Sequence, residues 1–152
     1  MNHFHSNDLL HKNQSGFRLN HSCHTALTEV IDTWLSEINL NKLCGTSFID
    51  FAKAFDVISH YLLLKKMNLY GLATDTLTLI KSILSDCHQV VYVKSKESKV
   101  NSVVFGVPRG SVSGPLLFSI YINKLPLHIS SCRCNMLADD TKSTHLGRIS
   151  PQ

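Results

Sequence analysis

Two adjacent carboxylates, Asp139 and Asp140, follow the short apolar run Met136-Leu137-Ala138, and a third, Asp50, follows Ser47-Phe48-Ile49. An ionised carboxylate at the end of a buried strand is costly unless a cation or a hydrogen-bond donor meets it. Magnesium suits such a set because it is hard, prefers oxygen ligands and completes its shell with phosphates. If the strands ending in Asp50 and in Asp139-Asp140 are neighbours, the carboxylates converge where two ions about 4 Å apart serve in-line phosphoryl transfer. Adjacent aspartates in a turn also serve backbone geometry alone, so on these residues by themselves both readings stand.

Such carboxylates need strands to carry them and helices to cover those strands. Residues 1–20 are polar, rich in His and Asn and without a period, and read as an irregular lead-in. Ala26, Leu27, Val30, Ile31, Trp34, Leu35 and Ile38 recur at three- and four-residue steps, which predicts a helix over Ser22–Leu40. Thr46–Phe51 reads as a short buried strand bearing Asp50. Ser59–Leu69 and Asp75–Leu84 read as helices, the first capped by Asp56 and stopped by Gly71. Gln89–Val93 and Val100–Phe105 read as a hairpin, with Lys94, Lys96 and Lys99 a solvated run at its tip. The loop Gly106-Val107-Pro108-Arg109-Gly110 leads into an apolar helix over Ser113–Leu125, capped by Ser111 or Ser113 and stopped by Pro126. Arg133–Ala138 and Thr141–His145 pair across Asp139-Asp140. The pattern predicts an α+β fold, an antiparallel sheet with helices packed on one face. It also predicts a lead-in over 1–20, a folded domain over 21–146 and a short tail over 147–152.

With 152 residues, 43% hydrophobic and 17% charged, the chain suits one folded domain with a real core. Fifteen Lys and Arg against eleven Asp and Glu give a net charge of +4, which permits a polyanionic partner without requiring one. The five cysteines, Cys23, Cys44, Cys87, Cys132 and Cys134, form no CxxC pair, and Cys132-x-Cys134 with His128 and His145 matches no common zinc spacing. They read as reduced intracellular thiols. The nine histidines show no ligand spacing. No apolar run approaches the roughly 18 to 20 residues that span a bilayer. The amino terminus lacks the basic start and apolar centre of a signal peptide, so a cytoplasmic or nuclear chain is expected.

Three segments carry a resemblance. Phe48-Ile49-Asp50-Phe51-Ala52-Lys53-Ala54-Phe55-Asp56, then residues 106–118, then Leu137-Ala138-Asp139-Asp140 resemble, in order and spacing, three successive palm motifs of the reverse transcriptases of non-LTR retrotransposons. Gln14-Ser15-Gly16-Phe17-Arg18, Asn20-His21-Ser22 and Ile120-Tyr121-Ile122-Asn123 match further family segments, so the resemblance runs from Lys12 to Thr144. It implies a partial polymerase palm with part of the fingers. It further implies nucleotidyl transfer from a dNTP to a primer 3′-hydroxyl on an RNA template, with two Mg2+ ions and no membrane partner.

Residue by residue, the resemblance makes Asp50 and Asp139 the essential metal ligands and Asp140 the adjacent carboxylate. Phe55 resembles the steric gate that rejects a ribonucleotide 2′-hydroxyl, the alternative being a core aromatic. Arg109 and Gly110, with Phe51 and Ala52 of the first motif, fall where the family binds nucleotide and template. Arg18 either contacts nucleic-acid backbone or fixes its own loop. The chain departs from the family at Arg109 (usually glutamine), Ser113 (leucine), Lys124 (aspartate) and Leu137 (an aromatic). Most of the fingers upstream of Lys12, the primer grip, the thumb and an endonuclease find no room in this sequence. The isolated chain is therefore expected to be an inactive, aggregation-prone piece of a retrotransposon polyprotein. The alternative is a non-catalytic remnant that at most binds nucleic acid, and an unrelated phosphotransfer domain is a remoter third reading.

Overall fold

A computed structural model describes residues 4, 7, 9–108, 110–129 and 132–148. The chain is of the α+β class, with helices and antiparallel sheets, and divides into two compact units, Met1–Ala52 with Ile122–Gln152 and Lys53–Tyr121.

The first unit is built on a sheet of β1 (Lys42–Ile49), β7 (Asp140–Arg148) and β6 (Arg133–Leu137), in that spatial order and antiparallel throughout. Central β7 buries Thr141, Lys142, Ser143 and Thr144 in succession. Since consecutive strand residues point to opposite faces, both faces are covered there. Helix α1 (Cys23–Asn39) lies against one face. Its start is fixed by a capping box: the Ser22 hydroxyl accepts from the Thr25 N–H at 3.2 Å, and Thr25 Oγ1 accepts from the Ser22 N–H at 2.8 Å. Ala26, Val30, Trp34 and Glu37 turn inward, while Leu27, Ile31, Leu35 and Ile38 remain exposed. The helix matches its expected bounds, but only half of its apolar stripe finds the sheet.

Three departures from the sequence reading occur in this unit. First, β1 begins at Lys42 and runs through Gly45, and β7 continues through Gly147 into the expected tail, the eight-pair β1–β7 ladder holding both glycines in strand conformation. Second, Pro126 falls in the first turn of a short helix α5 (Leu125–His128), where its missing N–H is no loss. Third, residues 9–16 pack into the unit. Asn123 is buried and ties them down, accepting from the His11 N–H and donating to the Leu9 carbonyl, both at 2.7 Å. A polar segment held by hydrogen bonds has no hydrophobic period to betray it.

In the second unit α2 (His60–Leu69) packs on α3 (Thr74–Leu84), with Gly71 at φ +75° reversing the chain between them. Ser59, not Asp56, caps α2: its hydroxyl accepts from the Leu62 N–H at 3.4 Å. The expected hairpin is two short ladders, β2 (His88–Gln89) with β5 (Asn101–Ser102) and β3 (Tyr92–Val93) with β4 (Lys96–Glu97). The register slips by one residue between them. Lys94 and Ser95 both take positive φ at the tip, the conformation that matches a two-residue turn to strand twist. Helix α4 (Gly114–Ile122) ends three residues before the expected Leu125. Ile58, Leu63, Met67, Leu84, Leu117 and Phe118 are buried in this unit's core. Among the described residues no helix is long and apolar enough to cross a membrane.

Candidate active site

The β6–β7 hairpin closes through the two residues Ala138 and Asp139, flanked by the pair Leu137–Asp140. Asp140 is thus the first residue of β7, and the turn lies one residue earlier than the sequence reading put it. Ala138 adopts φ +58°, a left-handed conformation that costs a non-glycine residue about 1–2 kcal/mol. Across β7, the last β1 pair is Ile49 with Thr141. One further step of that register sets Asp50 opposite Asp140. The three aspartates therefore reach the same end of one sheet.

A cavity of about 440 Å³ opens there, with Asp50 and Asp140 in its lining beside Trp34, Phe48, Met136 and Lys142. Asp50 and Asp140 are exposed and Asp139 is half-buried. Among the described residues, none of the three carboxylates has a hydrogen-bond or ion-pair partner, the salt bridges there being those of Glu37. The donor set fits a hard divalent cation, since all three groups are carboxylates with free oxygens. Among the described residues no three His, Cys, Asp or Glu side chains are gathered closely enough to enclose an ion. Lys142 extends beneath this site, its ammonium 4.9 Å from the Trp34 ring centroid, and burial pushes its pKa down.

The other expected residues are placed as follows. Phe55, half-buried, stacks on Phe118 with ring centroids 4.7 Å apart and a 30° tilt. Phe51 is half-buried and Ala52 exposed. The Gly106 loop is pinned to the segment bearing Phe55. The Val107 N–H donates to the Phe55 carbonyl at 2.9 Å, the Gly106 N–H to that of Ile58 at 2.8 Å, and His60 Nε2 to that of Gly106 at 2.6 Å. Gly106 is required twice over, by φ +88° and because a Cβ would lie 2.9 Å from the Asp56 backbone. The Ser111 hydroxyl accepts from the Gly114 N–H at 2.9 Å and donates to the Pro108 carbonyl at 2.8 Å, which folds the loop onto the start of α4. Gly110 is exposed at φ +75°; Arg109 lies outside the described residues. Arg18 Nη1 donates to the carbonyls of His11 at 3.2 Å and Gln14 at 3.3 Å, which ties down its loop.

The model of the family described as reverse transcriptase (RNA-dependent DNA polymerase) matches residues 1–145. The chain belongs to the reverse transcriptase family. Among curated reverse transcriptase relatives, it is 33% identical over 115 residues to the probable RNA-directed DNA polymerase from transposon X-element of Drosophila melanogaster, covering 76% of this chain and 13% of that protein. It is 32% identical over 118 residues to the RNA-directed DNA polymerase from mobile element jockey of the same species, covering 77% and 13%. A more distant relative is the retrovirus-related Pol polyprotein from type-1 retrotransposable element R2 of Popillia japonica, 28% identical over 92 residues, covering 58% and 15%. The chain thus spans about an eighth of the length of the first two reverse transcriptases.

Gln14 carries no role in the sequence pattern beyond its place in the segment 14–18. The structure buries Gln14 completely and directs its side chain onto the Ala138–Asp139 turn. A glutamine two residues before a glycine, in a stretch without apolar period, was the available signal.

Proposed function

We propose that this segment carries the cation-binding carboxylates of an RNA-directed DNA polymerase, which joins a dNTP to a primer 3′-hydroxyl along an RNA template. The observation that carries the reading is the arrival of Asp50, Asp139 and Asp140, all without partners among the described residues, at one sheet end in a reverse transcriptase family chain. Asp50, Asp139 and Asp140 would hold two Mg2+ ions, which in such sites activate the attacking hydroxyl and stabilise the leaving oxygen. The carboxylates supply hard oxygen ligands and the negative charge that fixes the cations. Phe55 serves as the sugar gate, and Arg109, Gly110, Phe51 and Ala52 serve the nucleotide and template. Gly110 supports that assignment, because it is exposed with open space where a Cβ would lie, so backbone there can approach a base or phosphate closely. Five cysteines spaced without a CxxC pair support action inside the cell.

The test is primer extension by this segment set in the frame of a full-length relative. Extension requires a divalent cation, and Asp139→Ala lowers it by about 100- to 1,000-fold, the scale on which a charge-stabilising group acts. Extension that survives the substitution removes Asp139 from the site. A second reading, nucleic-acid binding without catalysis, draws on the +4 charge; it predicts RNA affinity that falls steeply with salt and ignores Mg2+.

A further inference from the structure

Residues 13–15 run parallel to β6, joined to it by a single bridge between Gln14 and Met136. The Met136 N–H donates to the Asn13 carbonyl and the Ser15 N–H to the Met136 carbonyl, both at 2.8 Å. Asn13 Nδ2 donates to the Cys134 carbonyl at 2.6 Å. Beyond Met136 the ladder is continued by a side chain. Gln14 Oε1 accepts from the Ala138 N–H at 3.1 Å, and Gln14 Nε2 donates to the Ala138 carbonyl at 3.3 Å. The same Oε1 accepts from the Gly16 N–H at 2.7 Å, which locks the amide's orientation. Gln14 is 0% exposed. Gly16 makes the approach possible, because a Cβ there would come within 2.1 Å of the Ala138 nitrogen.

One primary amide thus meets both polar backbone groups of the residue that holds the left-handed conformation before Asp139. Left without a partner, that conformation would relax. A neutral amide is also the group for the task. It donates and accepts at once, and it adds no charge to compete with Asp139 for a cation. We propose that Gln14 is the positioning residue of the carboxylate turn, holding Ala138 so that Asp139 and Asp140 are presented together; this rests on reading Asp139 as a cation ligand.

The experiment uses the whole chain, isotope-labelled for NMR, with Mn2+ as the probe. Two readouts are taken: hydrogen exchange at each amide, and line broadening around residues 138–141 as Mn2+ is titrated. In Gln14→Met, which keeps the side chain's length, Ala138 exchanges about tenfold faster or more. Met136, held by the Asn13 backbone, is unchanged, and Mn2+ affinity at the turn falls about three- to tenfold. Gln14→Glu keeps the accepting oxygen, and restores protection of the Ala138 amide to within about threefold of the original; it also serves if Gln14→Met fails to fold. Faster Ala138 exchange with unaltered Mn2+ affinity makes Gln14 merely structural and overturns the proposal, as does unaltered Ala138 exchange. Absence of Mn2+ broadening in the unsubstituted chain instead sinks the reading of Asp139 as a ligand.

Discussion

Glu37 sits near the end of α1 and gathers two cations from two strands, Lys42 at 2.6 Å and Arg133 at 3.2 Å. The hydrogen bond from Lys42, aided by both positive charges and opposed by burial, holds the carboxyl below its ordinary value of 4.5. The unfolded chain therefore binds this proton at higher pH than the folded one. The stabilisation is complete above about 4.5 and is lost as pH falls through the lowered value. Melting temperature plotted against pH should accordingly drop on the acid side, and Glu37→Gln should flatten that drop while lowering the plateau at neutral pH. Lys142 presents the opposite case. Its buried ammonium lies over the Trp34 ring with no hydrogen-bond partner among the described residues, and Glu29 and Cys44 offset only part of its desolvation. Lys142→Met keeps the length and removes the unpaired charge, so urea unfolding at pH 7 should show a gain of about 1 kcal/mol after the lost cation–π contact is deducted. Neither role was legible in the sequence, because each depends on which strands become neighbours. That Asp50 and Asp139 follow strand ends was legible, because carboxylates in such places stand out against the apolar runs before them.

Helix α1 was legible from its apolar spacing, and the pair α2–α3 from the glycine stop between them. The hairpin was less so, since a one-residue register slip leaves no trace in a run of β-branched residues. Asp56 and Ser59 both have capping side chains, and only backbone geometry decides for Ser59. Two glycines of the second unit separate conformational freedom from close approach. Gly71 has φ +75° with open space where a Cβ would go, whereas Gly106 has φ +88° and the Asp56 backbone 2.9 Å away. Gly71→Ala should cost only the left-handed strain, about 1 kcal/mol, whereas Gly106→Ala should cost about 2–3 kcal/mol or more, since backbone must also move. Chemical denaturation of the two variants measures the difference; equal losses would mean that the Asp56–Gly106 contact yields freely.

Over the whole molecule, charge and apolar surface divide unevenly. Lys53–Tyr121 holds eight basic residues, Lys53, Lys65, Lys66, Lys81, Lys94, Lys96, Lys99 and Arg109, against Asp56, Asp75, Asp86 and Glu97, and so accounts for the entire +4. The other unit is neutral overall and contains all three candidate ligands, so repulsion between copies of that unit is weak. On that unit Leu27, Ile31, Leu35 and Ile38 form a continuous strip along the outer flank of α1, each between 41% and 58% exposed. Helical period sets these four in one apolar stripe with the inward residues, without saying how much of that stripe a neighbour covers. A strip of this kind drives association when nothing seats on it. Sedimentation velocity should therefore show weight-average mass rising with concentration over the micromolar range. Leu27→Lys combined with Leu35→Glu should abolish the rise, and because both side chains already face water the unfolding free energy should move by no more than about 0.5 kcal/mol per site. Persistence of the rise in the double variant would shift the cause to another apolar surface, the exposed Tyr92–Val93 strand of the hairpin being the first to substitute.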